Sequence, residues 1–173
     1  MKKNAFLLLS TFAFFPLLIH AEEPVVTAAP HTAQTDREVI KTFYQLLNNT
    51  GSDIGLINGA PRVVGKYWQA EPRALGGDGV EGFIHTFMKY HLDIPDLLFT
   101  PQEILKVARN RYVVRSVATG TAMGDFLGLG DGFRPGGRFV ITTIEIHTLK
   151  KGKIIKTYHV EDWKAAMAQI TPP

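Results

Sequence analysis

Beyond residue 34 the hydrophobic period changes from helical to strand-like, and returns to helical only at the end of the chain. Thr35-Asp36-Arg37-Glu38 has capping-box spacing. Val39, Phe43, Leu46 and Leu47 follow on one face before Asn48-Asn49-Thr50-Gly51, which predicts a helix over 35–47. Between 53 and 66, Gly55, Gly59, Pro61 and Gly65 interrupt an apolar stretch, so a broken short helix is expected there. Gly76-Gly77-Asp78-Gly79 is a turn whose Asp78 can cap a second helix from Val80 to His91, with Phe83, Phe87 and His91 on one stripe; Ile94-Pro95-Asp96 ends it. The period then falls from 3.6 to 2. Leu97 to Val107, Arg111 to Thr121, Arg138 to Leu149 and Lys153 to Glu161 read as strands, and Asp162 to Ile170 as a closing amphipathic helix.

Helices first and a strand meander afterwards predict an α+β domain, with a curved antiparallel sheet of four to five strands packed against N-terminal helices. Thr142, Thr143, Glu145, His147, Tyr158 and His159 sit among Ile144, Ile146 and Val160, so both faces of 138–161 mix polar with apolar residues. A sheet packed solidly on helices would be more uniformly aliphatic. A concave face lining a central apolar pocket accounts for the mixture.

Ahead of this domain, Met1-Lys2-Lys3-Asn4, an apolar run from Ala5 to Ile19, and His20-Ala21 before Glu22-Glu23 follow the order of an export signal. Residues 1–21 are therefore expected to be a signal peptide, 22–34 a flexible linker and 35–173 the working domain, periplasmic or secreted. The apolar run is shorter than a bilayer-spanning helix needs, so no membrane span is expected after processing. Removing the leader takes away Lys2 and Lys3 and lowers the formal charge from +3 to +1. No basic stripe interleaves with aromatics, which argues against a nucleic-acid partner. The absence of Cys excludes disulfides, thiolate catalysis and Cys-ligated zinc. His85 and His91, six apart, lack the same-face spacing for a metal, and none is expected.

The densest chemistry is Tyr158-His159-Val160-Glu161-Asp162-Trp163, where the last strand meets the last helix. Strand alternation puts Tyr158, Val160 and Asp162 on one face and His159 and Glu161 on the other. If the first face is concave, Asp162 sits at an apolar pocket, where desolvation suits a carboxyl to general acid or base work near neutral pH. The other reading makes Asp162 the cap of the final helix. His159, on the opposite face, is expected in a salt bridge or core packing. His147, Tyr158, His159 and Arg115 are candidate supporting donors. Tyr67, Trp68, Phe83, Phe87, Phe126 and Trp163 are candidate ligand contacts.

These residues carry a resemblance. Gly152-Lys153-Ile154, Tyr158, Asp162 and Gln169-Ile170 are spaced like the closing motif of the SnoaL-like polyketide cyclases, the ester cyclase branch of the superfamily with the cone-shaped fold of nuclear transport factor 2. Tyr67-Trp68-Gln69-Ala70-Glu71-Pro72, then Asp78-Gly79-Val80-Glu81-Gly82-Phe83, then Pro95-Asp96-Leu97, then Gly120-Thr121 with Gly124-Asp125-Phe126-Leu127-Gly128 and Gly137-Arg138, resemble earlier family segments in the same order. The likeness runs from about residue 37 to 170. Ala70 and Ala122 stand where many relatives carry His, and residues 129–136 lengthen the central loop. The resemblance implies an apolar pocket and a cofactor-free intramolecular aldol closure of a polyketide ester. It also implies that Asp162 takes the proton alpha to a carbonyl and returns it to the nascent alkoxide. It makes a homodimer through the outer sheet face an expectation as well. Two functions stay open: acid–base catalysis on an apolar carbonyl compound, and non-catalytic binding of a small apolar ligand, which export favours because polyketide intermediates are made inside cells.

Overall fold

Helix α1, Asp36–Leu47, opens on the expected capping box: the Glu38 amide donates to Thr35 Oγ1, and Glu38 Oε2 accepts from the Thr35 amide at 2.8 Å. Its buried stripe is Val39, Ile40, Phe43, Tyr44 and Leu47. The computed structural model describes residues 35–123, 128 and 134–171; the leader 1–21, the linker 22–34 and Phe126 lie outside them. The stretch expected to be a broken helix is one continuous helix, α2, Ile54–Val63. Gly59 acts there as a contact rather than a breaker, since a Cβ at that position would run into the end of the Leu46 side chain on α1. Pro61 falls in the last turn.

Strand β1, Val64–Glu71, leads to α3, Gly79–Asp93. Asp78 occupies the N-cap position of α3 without a side-chain cap bond, and its carboxylate lies 3.7 Å from Arg73 Nε. The meander follows as β2, Leu98–Ala108; β3, Arg111–Thr121; β4, Arg138–Lys150; and β5, Lys153–Glu161. Helix α4, Trp163–Ile170, closes the fold. The sheet order is β1-β5-β4-β3-β2. Pairing is antiparallel through β2 to β5, while β1 adds a parallel edge on β5, which makes the α+β sheet mixed. Among the described residues no helix is long and apolar enough to cross a membrane.

Two features of this sheet decide where the chemistry lies. On β4 the inward residues are Phe139, Ile141, Thr143, Glu145, His147 and Leu149, all buried, whereas Val140 and Ile144 face outward, 61% and 48% exposed. Polar residues therefore point inward in the middle of the strand and aliphatic ones outward. On β5, Leu149 pairs with Ile154 but Thr148 pairs with Lys156, which leaves Ile155 as an extra residue in a bulge. The bulge reverses the alternation: Ile154 is buried, and beyond it Thr157, His159 and Glu161 face inward. Tyr158 and Val160 lie on the outer face, Val160 at 71% exposed. This is opposite to the arrangement that would have put Asp162 in the pocket.

Candidate active site in the cone

Glu145 of β4 and Thr157, His159 and Glu161 of β5 form the floor of a cavity of about 40 Å³, with Glu145 directly opposite His159 in the ladder and His147 and Thr143 opposite Thr157 and Glu161. Directly opposed side chains on neighbouring strands are within reach of one another. Phe43 and Leu47 of α1, Phe87 and Tyr90 of α3, and Trp68 and Ala70 of β1 supply much of the wall. The space admits a few atoms, enough for the reacting end of a slender molecule but not for a polycycle.

A buried hydrogen-bond chain runs behind this floor. Trp68 Nε1 donates to Thr157 Oγ1 at 3.1 Å, and Thr157 Oγ1 lies 3.0 Å from His147 Nδ1. His147 Nε2 lies 3.0 Å from the Tyr44 hydroxyl, which donates to Glu145 Oε2 at 2.7 Å. Ser116 Oγ donates to the same carboxyl oxygen at 3.2 Å and lies 2.8 Å from Thr143 Oγ1. Among the described residues no buried side-chain nitrogen or oxygen lacks a hydrogen-bond partner.

Burial sets the charges. It pushes the Glu145 carboxyl up from 4.5 to about 7, against the hydrogen bonds from Thr143 and Tyr44 and with the repulsion of Glu161. It drives His147 down to about 3, helped by the nearby His159, so that ring is neutral. It also raises the phenols of Tyr44 and Tyr90, which therefore stay protonated. For His159, burial acts to lower the pKa but loses to the hydrogen bond and charge of Glu161, and the net shift is upward. Both its ring nitrogens face acceptors, Nδ1 the Glu161 carboxylate at 2.8 Å and Nε2 the Pro72 carbonyl at 2.9 Å, an arrangement that only the imidazolium satisfies.

The candidates read from sequence scatter. His159 belongs to the floor, His147 to the hydrogen-bond chain behind it, and Trp68 and Phe87 to the wall. His159 forms the salt bridge expected of it, with Glu161, but inside the cavity. Phe83 is wholly buried behind the wall, its ring centroid 5.2 Å from that of Phe43 and 5.4 Å from that of Trp68. Trp163 packs between Phe139 and Tyr90. Tyr67 is 79% exposed. Tyr158 lies on the outer face under Lys156 Nζ, 4.4 Å from its ring, and Arg115 faces Glu103 across 3.7 Å. Asp162 is exposed and caps α4, accepting from the Ala165 amide at 2.9 Å. Its carboxylate is occupied by the helix because the reversed β5 alternation turns it away from the floor.

The candidates read from sequence do not include Glu145, Tyr44, Tyr90, Thr157 or Glu161. A recognisable signal was Glu145-x-His147 on a strand whose intervening residues are aliphatic, a period-2 pattern with its polar half buried. Among the described residues no group of three or more His, Asp or Glu is placed to hold a metal ion.

The family described as SnoaL-like polyketide cyclase matches residues 39–170. No curated protein is significantly similar in sequence. Among solved structures, a SnoaL-like polyketide cyclase from Agrobacterium tumefaciens is 21% identical, with 79% of this chain and 98% of that chain covered and a TM-score of 0.63. TsrD from Streptomyces laurentii is 19% identical over 77% and 92% of the two chains, TM-score 0.64. A phenazine biosynthesis-related protein from Pseudomonas aeruginosa is 14% identical over 80% and 88%, TM-score 0.58. At these identities the likeness establishes a shared fold and leaves chemistry to the site.

Proposed function

Because the chain belongs to the SnoaL-like polyketide cyclase family, we propose that it binds a slender apolar carbonyl compound in this cavity and moves a proton on it by acid–base chemistry of its own side chains. The observation that carries this reading is Glu145: a carboxyl at the floor of an apolar cleft, raised to about 7, whose two protonation states coexist at neutral pH. It takes the proton alpha to the carbonyl. The protonated Tyr90 phenol on the cavity wall donates a hydrogen bond to the carbonyl oxygen, and the His159 cation across the β4–β5 ladder favours the enolate charge. The surrounding aromatic wall lowers the local polarity, which strengthens both effects. The acid–base role that family resemblance gives Asp162 passes in this reading to Glu145, and the reactions it fits are an aldol-type closure or an isomerisation.

The test is alpha-proton exchange in D2O, followed by proton NMR on a panel of small apolar ketones and esters. The wild type is expected to accelerate exchange for at least one compound, and Glu145→Gln to lose tenfold or more. Saturable shifts of protein resonances with no exchange would instead establish a carrier. That second reading is favoured by the internal pairing of every buried polar side chain among the described residues, which lets the floor hold a ligand without reacting. Neither binding nor exchange across the panel would contradict both readings.

We also propose that the protein works outside the cytoplasm, processed after Ala21; the Lys2-Lys3 start and the apolar run that follows support this. Mass spectrometry of the protein from its host should find Glu22 at the N-terminus. Two copies are proposed to pair through the outer sheet face, where Leu105, Val140, Ile144 and Val160 are exposed together.

A further inference from the structure

We infer that Glu145, Tyr44, His147 and Thr157 form a buried proton relay whose two ends open into the same cavity, so that a proton taken by Glu145 at one substrate atom is matched by a proton given by Thr157 at another. This rests on the acid–base reading above and deepens it. Glu145 and Thr157 both line the cavity, on neighbouring strands, while Tyr44 and His147 connect them from behind.

The donor inventory restricts the chain to two polarities. A neutral imidazole has one N–H and one bare nitrogen, so His147 must donate at one end and accept at the other. If Nε2–H donates to Tyr44, then Tyr44 donates to Glu145 Oε2, Glu145 accepts there, and the Thr157 hydroxyl donates to Nδ1. If Nε2 accepts from Tyr44, the phenolic oxygen accepts from a protonated Oε2, and Nδ1–H donates to Thr157. In that second polarity Thr157 Oγ1 also accepts from Trp68, which can only donate, and the Thr157 proton is left to point into the cavity. Trp68 thus holds the oxygen in place at the delivering end.

The transfer balances. Starting from the second polarity, the substrate C–H bond breaks and its proton joins Glu145 Oε1. The Oε2 proton passes to Tyr44, the Tyr44 proton to His147 Nε2, and the Nδ1 proton to Thr157. The Thr157 proton forms the new O–H bond on the substrate oxygen. The protein ends with the same number of protons, and each bond made in the chain replaces one broken. Cavity water resets the chain by taking the Oε1 proton and supplying one at Thr157. In this scheme Glu145 and Thr157 are catalytic residues, whereas Tyr44 and His147 act through them.

The titratable groups that face the relay come from the elements packed around it. Tyr44 comes from α1, Tyr90 from α3, and His159 with Glu161 from β5; Ser116 and Thr143 are neutral neighbours on β3 and β4. The deciding experiment is a pH titration, from 5 to 9, of protein carrying 15N in its histidine rings and 13C in its glutamate carboxyls. The expected result is that His147 stays neutral throughout, while its protonated nitrogen changes from Nδ1 to Nε2 with the same midpoint as the Glu145 carboxyl. His159 is read from its own ring nitrogens. In Tyr44→Phe, Glu145 should still titrate while the His147 tautomer no longer follows it, a loss that a purely structural tyrosine would not produce. The wild-type titration decides on its own if that variant does not fold. A His147 that keeps one tautomer while Glu145 titrates would overturn the relay and leave the acid–base reading standing. A Glu145 that does not titrate in this range would overturn both.

Discussion

Glu145 and His147 pull stability in opposite directions as pH changes. The folded pKa of Glu145 is raised from 4.5 to about 7, so the folded protein keeps a proton that the unfolded chain releases, and stability falls as pH rises from 4.5 to 7. That of His147 is lowered from 6.5 to about 3, so the unfolded chain takes up a proton that the folded protein refuses, and stability falls as pH drops from 6.5 to 3. Between 4.5 and 6.5 the two slopes offset each other. Glu145→Gln removes the glutamate slope and keeps the histidine one, and its stability to urea is expected to climb by roughly 2 kcal/mol from pH 4.5 to 6.5 while the wild type stays level. A wild type that climbs as steeply would mean an ionised Glu145. Asp162 is a different case, since its carboxylate is exposed and bonded to a helix amide. Asp162→Ala is expected to cost about 1 kcal/mol as a lost cap, and Asp162→Asn almost nothing, with alpha-proton exchange within twofold of wild type in both. A tenfold loss of exchange in Asp162→Asn at unchanged stability would return the chemistry to that carboxylate.

At the scale of elements, the period change near residue 97 made the helices and the meander legible, and the limits of β3 and β5 match the expected ones. Three things were not. Strand β1 carries two exposed residues, Lys66 and Tyr67, side by side, which breaks the alternation that would mark it as a strand. Gly59 looked like a helix breaker because the packing that needs it involves a distant Leu46. The site itself was displaced by one residue: Tyr158-His159-Val160-Glu161-Asp162 was located, but the bulge at Ile155 depends on the pairing partner and has no signature within β5. Gly82 tests the element that carries Phe87 and Tyr90. Helix propensity alone would reward Gly82→Ala by about 1 kcal/mol, but the new Cβ would meet the Gly77 carbonyl oxygen, a backbone atom. The substitution is expected to lower stability by about 2 kcal/mol, seen as a lower urea midpoint; an increase would mean that the turn at 76–79 yields freely.

Across the sheet, the middle of β4 and β5 turns polar side chains inward, while Leu105, Val140, Ile144 and Val160 are exposed on the outer face beside Arg115 and Lys156. Interior polar groups on β4 and β5 are tolerated because each is paired, at the cost of the low-dielectric environment that shifts their protonation. The outward face asks for a cover, and the proposed dimer provides it. Replacing both Ile144 and Val160 with Asp is expected to convert a dimer in sedimentation to a folded monomer; a wild type that sediments as a monomer would contradict that assembly. The central claim, that the reacting group is the buried carboxyl of β4, is tested most directly by the 13C titration of the Glu145 carboxyl in the wild-type protein, identified by its loss in Glu145→Gln. A midpoint near pH 7 is expected. A midpoint at the ordinary glutamate value, about 4.3, would mean that the carboxyl is solvated and ionised at neutral pH, and would contradict it.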